Sequence, residues 1–173
     1  MEDGVIHMKK TKMISVVFSV VFCIILLNFF WQNINKPQFD FDKVLSEENS
    51  DDLVFKLYYG DPNLLYVKNM TVQEFLKSGY YFFCVEGKEL EEYYDLFRKI
   101  NSDTLVPFKG NPVEDCSIYY KLESKKNGKI FDVAIGGYDI KKEEFCIYFN
   151  GYKIESNQVF YDLYTPLLPE HLK

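Results

Sequence analysis

An α+β domain carried behind a single membrane-spanning helix is the architecture the sequence predicts. Three observations predict it: a nineteen-residue apolar run near the amino terminus, a chain of alternating strand segments punctuated by Asn-Gly turns, and amphipathic stretches able to cover a sheet. The sheet expected is an antiparallel meander, with two or three helices on one face.

The apolar run spans Met13 to Trp31 and is interrupted only by Ser15, Ser19 and Asn28. As a helix it measures roughly 28 Å, close to the hydrocarbon thickness of a bilayer. Thirteen of its residues are Val, Ile, Leu or Phe. Central positions of that kind contribute about −0.3 to −0.6 kcal/mol each to insertion. The run has no polar face to turn toward water, which a buried core helix of a small domain would need.

A cleaved signal would end in a small-residue site, but this run continues into Asn28-Phe29-Phe30-Trp31-Gln32, and Trp31 stands where an interfacial anchor belongs. Lipid attachment at Cys23 is disfavoured by the bulky Phe22 before it. Lys9, Lys10 and Lys12 precede the run, whereas Gln32 to Asp52 holds only Lys36 and Lys43 among six carboxylates. The positive-inside rule then keeps the amino terminus in the cytoplasm. Either Met1 or Met8 serves as the start, since Met8 heads a compact basic lead of its own. The expected organisation is a basic cytoplasmic tail over 1–12, the span over 13–31, a polar stalk over 32–52 and an extracytoplasmic α+β domain over 53–173. The corresponding location is the cell membrane, crossed once.

Within the domain, Leu53 to Tyr59 and Leu64 to Lys68 are β-prone runs separated by the turn signal Gly60-Asp61-Pro62-Asn63. Thr71-Val72-Gln73-Glu74 has the spacing of a capping box, with Gly79 placed to end a short helix, and Tyr80 to Val85 reads as a strand. Leu90, Tyr93, Tyr94, Phe97 and Ile100 share one face of a helix expected over 88–100. Glutamates in its first turns and Arg98 and Lys99 in its last suit the helix dipole.

Beyond Gly110-Asn111-Pro112 the period changes to two. Ile118, Tyr120 and Leu122 face inward on one strand, Asn127-Gly128 signals a type I′ hairpin, and Phe131, Val133 and Ile135 return on the same face. Gly136-Gly137 is expected to break that strand. Phe145, Ile147 and Phe149 form the next inward set, Asn150-Gly151 turns the chain, and Tyr152 to Glu155 completes a second hairpin. Asn157 caps a last helix carrying Val159, Phe160 and Leu163, which Pro166 ends.

From Gln32 onward there are 17 basic and 24 acidic residues, a net of −7, with no basic cluster beyond short pairs. Nucleic acid is therefore excluded as a partner, while a cationic peptide or protein would be attracted. Nineteen lysines to one arginine, with frequent Tyr, Phe, Ile and Asn, match an AT-rich bacterial coding sequence. In such a host the sequon Asn69-Met70-Thr71 is incidental.

Only His7 and His171 could act as imidazole bases, and neither falls inside the expected fold, so the serine and cysteine triads lack a base, save a Cys116–His171 pairing at the chain end. Cys84, Cys116 and Cys146 have no C-x-x-C spacing, which argues against zinc; they read as buried small hydrophobes, or as one disulfide with a thiol left over. A carboxylate hydrolase acting on cell wall needs two acids across a cleft, and Asp61, Asp115, Asp132 and Asp139 are instead placed near turns. No catalytic, cofactor-binding or metal-binding residue is assigned. In the strand pairs Tyr58-Tyr59, Tyr80-Tyr81 and Tyr119-Tyr120 one ring faces the core and the other faces out, so outward Tyr119 and Tyr148 are the candidate binding surface. Ser15, Ser19 and Cys23 form a small-residue face for helix packing in the membrane. The expected function is contact with an envelope protein rather than catalysis, with immunity to a cationic peptide or toxin as the first alternative and hydrolysis as the second.

Overall fold

The computed structural model describes residues 19–26, 37–61 and 69–170, and divides the chain into two compact units, Met1–Lys36 and Pro37–Lys173. In the first unit residues 19–26 are helical, with their apolar side chains exposed. Among the described residues no helix is long and apolar enough to cross a membrane. The rest of the expected span, 13–18 and 27–31, lies outside them, as does the expected strand Leu64 to Lys68.

The second unit is an α+β fold built on one antiparallel sheet of six strands: β1 (Leu53–Gly60), β2 (Tyr80–Glu86), β3 (Val113–Ser124), β4 (Gly128–Asp139), β5 (Glu144–Phe149) and β6 (Tyr152–Glu155), in the spatial order β2-β1-β3-β4-β5-β6. From β3 to β6 it is the expected meander, and β1 is inserted between β2 and β3. Among the described residues five short α-helices accompany it: α1 (Phe41–Glu47), α2 (Val72–Phe75), α3 (Lys88–Glu91), α4 (Tyr94–Arg98) and α5 (Gln158–Asp162).

Period-two alternation sorts the strands' side chains between two faces. Phe55, Leu57, Tyr120, Leu122, Phe131, Val133, Ile147 and Phe149 point to one face and are fully buried. There Phe41, Leu90, Phe97, Ile100, Phe160 and Leu163 cover them. Each such side chain contributes about 1.5–3 kcal/mol on burial. Tyr120, fully buried in this layer, donates its hydroxyl to the Phe160 carbonyl oxygen at 2.8 Å, which ties α5 to the sheet.

The stalk expected over 32–52 is overturned from residue 37 onward. Phe39 packs edge-on against Phe131 with centroids 5.0 Å apart, and Phe41 meets Tyr94 at 5.1 Å and Phe97 at 5.0 Å. Asp40 caps α1 by accepting from the Lys43 amide. Two rings in a polar stretch carry no periodic signal, yet they suffice to fix the segment on the core. The domain therefore begins at Pro37, not Leu53.

The helix expected over 88–100 is two helices. Tyr93 donates to Leu90 and Leu96 to Tyr93, three residues back in each case, closing a tight turn between α3 and α4. Such a turn eclipses positions three apart, so Leu90 and Tyr93 reach the same side while Phe97 and Ile100 continue the stripe. The Thr71–Glu74 capping box forms as expected, although α2 stops at Phe75, short of Gly79. Its side of the sheet is a correction too: α2 packs on the face opposite the other helices.

The two Asn-Gly turns differ. Asn150 and Gly151 both have positive φ, 49° and 80°, between the paired residues Phe149 and Tyr152, which is the type I′ arrangement. At the first turn only Gly128 is left-handed, at 82°, Ser124 pairs with Gly128, and a register shift follows at Leu122/Glu123, so a three-residue loop with a bulge replaces the expected type I′ turn. Gly136-Gly137 bends β4 rather than breaking it. Gly136 has φ 128°, and a Cβ there would lie 1.8 Å from the Asp115 carbonyl oxygen. The register shift between Ile135 and Gly137 carries the end of the β4–β5 hairpin past the helical layer. Phe145, expected in the core, is accordingly 63% exposed and rests against Tyr138 at 4.8 Å.

Candidate interaction surface

On the sheet face away from α3, α4 and α5, the registers align one residue per strand into a single row: Phe82, Tyr58, Tyr119, Ala134, Tyr148 and Lys153, from β2 to β6. Tyr58 touches the Phe82 and Tyr80 rings at 5.1 Å each and Tyr119 at 5.8 Å. These are separations at which aromatic pairs add about 0.5–1.5 kcal/mol beyond their buried area.

A polar row runs beside the aromatic one, from Cys84 through Lys56 and Lys121 to Asp132. Two lysines directly opposite each other repel. Glu123 resolves the conflict by bonding to Lys56 on one oxygen and lying 2.6 Å from Lys121 on the other. Partial burial pushes the Glu123 carboxyl up, but hydrogen bonds from Lys121 and Lys56 outweigh it and hold the group below its ordinary range. Lys56 is raised in turn by its bond to Glu123. Tyr119 donates to Asp132 Oδ2 at 3.0 Å, and Lys129 holds the other Asp132 oxygen at 3.1 Å.

Tyr119 and Tyr148 both lie on this outward face, but they differ from the expected exposed ridge. Tyr119 is only 8% exposed: together with Met70, Phe75, Cys116 and Ala134 it forms a second, smaller core under α2. Burial, and then the Asp132 charge, push its hydroxyl well above the ordinary tyrosine value. Tyr148 is half-buried and is raised by burial to about 12. What the face offers to a partner lies instead at β2, where Phe82 is 50% exposed, Tyr80 37%, and Cys84 is also open. Alternation identified the face, whereas the roof over Tyr119 depends on where the 69–76 segment folds back, which no local pattern encodes. The uncharged run Tyr80-Tyr81-Phe82-Phe83 was the signal that sequence reasoning passed over.

All three cysteines of the domain are free thiols: Cys116 and Cys146 are buried small side chains as expected, Cys84 is exposed, and the alternative of one disulfide is not formed. Cys84 on β2 and Cys116 on β3 have β1 between them, and Cys116 and Cys146 on β5 have β4 between them. Strands two apart in a sheet are roughly 10 Å apart, beyond the reach of a disulfide. Burial raises all three thiols, Cys116 to about 12; Cys116 and Cys146 are enclosed and inert, whereas Cys84 stays open to solvent and to reagents. The acids near turns serve the backbone: Asp139 accepts from the amides of Asn111 and Lys141 at 2.9 Å, and Asp115 from that of Met70 at 3.3 Å. Among the described residues no group of three His, Cys, Asp or Glu side chains could hold a metal ion. His171 lies outside them. On the helical side an open cleft of about 550 Å³ lies against Asp40, Asp42, Asn101, Ser102 and Arg98, the last bridging Asp42 and Asp95 at 2.8 Å each.

Comparison of the chain with protein-family models, with curated proteins and with solved structures finds no match.

Proposed function

We infer that this is a single-pass membrane protein that displays its α+β domain outside the cytoplasm and works there by contact, as an interaction module of the cell envelope. The anchoring half of the reading rests on the apolar run from Met13 to Trp31, free of charged residues and preceded by three lysines. The contact half rests on one observation, the exposed aromatic end of the open face at Phe82 and Tyr80. Large apolar side chains grouped on a sheet face mark binding surfaces. The ion pair of Lys56 with Glu123, on the strands next to that end, supplies a polar rim.

A second reading, sequestration of a cationic peptide, draws on the net charge of −7 beyond the apolar run. The two separate by salt: contact through Phe82 and Tyr80 persists at high ionic strength, whereas capture by net charge weakens steeply. Anchoring is tested by alkaline carbonate extraction of membranes carrying the full chain. The protein is expected to remain in the pellet, and its release into the supernatant overturns the anchoring half.

A further inference from the structure

The two edges of the sheet are treated differently. At β6 the outer edge is sealed, because Phe108 donates to the Lys153 carbonyl oxygen at 2.9 Å, Glu155 donates to that of Val106 at 2.8 Å, and Pro107 bridges to Ile154. At β2 no strand among the described residues pairs with the outer edge. An unsealed edge exposes a row of unpaired amides and carbonyls, and proteins ordinarily blunt it with lysine, proline or a bulge. None of these protects β2. Its seven residues pair with β1 without a register shift, and Tyr80 to Val85 contains neither a charge nor a proline.

We propose that the free edge of β2 pairs antiparallel with the β2 edge of a second copy of this chain, joining two domains into one twelve-stranded sheet. The strand is complementary to itself in this orientation. The register that pairs all seven residues sets Phe83 on the two-fold axis, Tyr81 opposite Val85, Phe82 opposite Cys84 and Tyr80 opposite Glu86 of the second copy. No like charges meet, and Glu86 is already neutralised by Lys125 at 2.8 Å. Parallel pairing in register would instead set Glu86 against Glu86. On the open face the Phe82 rings of the two copies become diagonal neighbours, with Cα atoms roughly 7–8 Å apart, so the apolar end of each domain is covered by the other. The edge is about 23 Å long, and a contact of this size falls below the roughly 1,000 Å² of a permanent interface, so the dimer is expected to be concentration-dependent. The inference stands whichever side of a membrane the domain faces.

The test uses the full chain with Cys23→Ser, so that Cys84 is the one exposed cysteine, treated in membranes with a short bis-maleimide. The pairing places the two Cys84 residues diagonally on one face, and a covalent dimer is expected that disappears with Cys84→Ser. Adding Phe82→Lys, which gives up the ring contact with Tyr58 and should lower the melting temperature by only a few degrees with the domain still folded, is expected to lower the dimer yield at least tenfold. Tyr152→Cys in a chain lacking Cys23 and Cys84 puts a comparably exposed thiol on the sealed edge and reports random collision; its yield is expected to be far lower. Equal yields from Cys84 and Tyr152→Cys, a yield unmoved by Phe82→Lys, the absence of any dimer, or a Cys84 adduct with a different protein in its place would each overturn self-pairing.

Discussion

Replacing Phe41 by alanine asks whether the folded domain starts at Pro37. The ring is 2% exposed and wedged between Tyr94 and Phe97 at centroid distances of 5.1 and 5.0 Å. Removing a buried phenylalanine ring costs about 3–5 kcal/mol, part from lost transfer energy and part from the cavity left behind. A unit of about 135 residues unfolds with an entropy of roughly 0.28 kcal/mol/K, so the melting temperature should fall by roughly 10–18 °C. Phe41→Leu, which keeps most of the volume, should cost less than about 1.5 kcal/mol. The assay is thermal unfolding of the full chain followed by near-ultraviolet circular dichroism, which reports the packing of the aromatic core. A loss below about 1 kcal/mol for Phe41→Ala would refute the reasoning and return residues 37–47 to the role of a tether, since surface substitutions stay within about 0.5 kcal/mol.

Gly136→Ala should destabilise by about 3 kcal/mol or more, because the new Cβ meets the Asp115 carbonyl at 1.8 Å and φ is 128°, whereas Gly151→Ala, at φ 80° with open space around it, should cost about 1–2 kcal/mol; chemical denaturation compares the two. Thr71→Ala removes the capping box of α2 and should cost about 1 kcal/mol, read as a small drop in melting temperature with the oligomeric state unchanged. Burial raises the hydroxyls of Tyr119, Tyr120, Tyr148 and Tyr164, the last two to about 12. In the unfolded chain they ionise near pH 10, so the folded state holds the extra protons; its stability is complete below about pH 10 and is lost as the pH rises through the folded values. Tyrosinate absorbance should therefore appear in two phases, exposed rings first and the buried ones only with loss of the fold, while one phase near pH 10 with the fold retained would contradict the burial.

Strand alternation was legible because it is local. Ile118, Tyr120 and Leu122 face Phe131, Val133 and Ile135 as their spacing predicts, and Asn150-Gly151 makes the turn its residues favour. What escaped was set by tertiary placement. Phe39 and Phe41 are isolated in sequence and find their partners 53 or more residues away along the chain, while Phe145 has the right period but sits beyond the bulge that Gly136 introduces. The Asn127-Gly128 signal was sound as a turn and wrong in type, since the bulge at Leu122/Glu123 absorbs a residue that the dipeptide alone does not disclose. For the surface, outward alternation found the face and named Tyr119 and Tyr148, but which residues remain open on it depends on α2 folding over one end and on β2 lying at the sheet's rim.

Labelling of Cys84 in intact cells with a membrane-impermeant maleimide tests the central claim most directly, using the full chain with Cys23→Ser so that the exposed thiol on β2 is the one that reports. The account predicts labelling before lysis that is lost with Cys84→Ser. Labelling that appears only after the cells are opened would contradict it and place the domain on the cytoplasmic side.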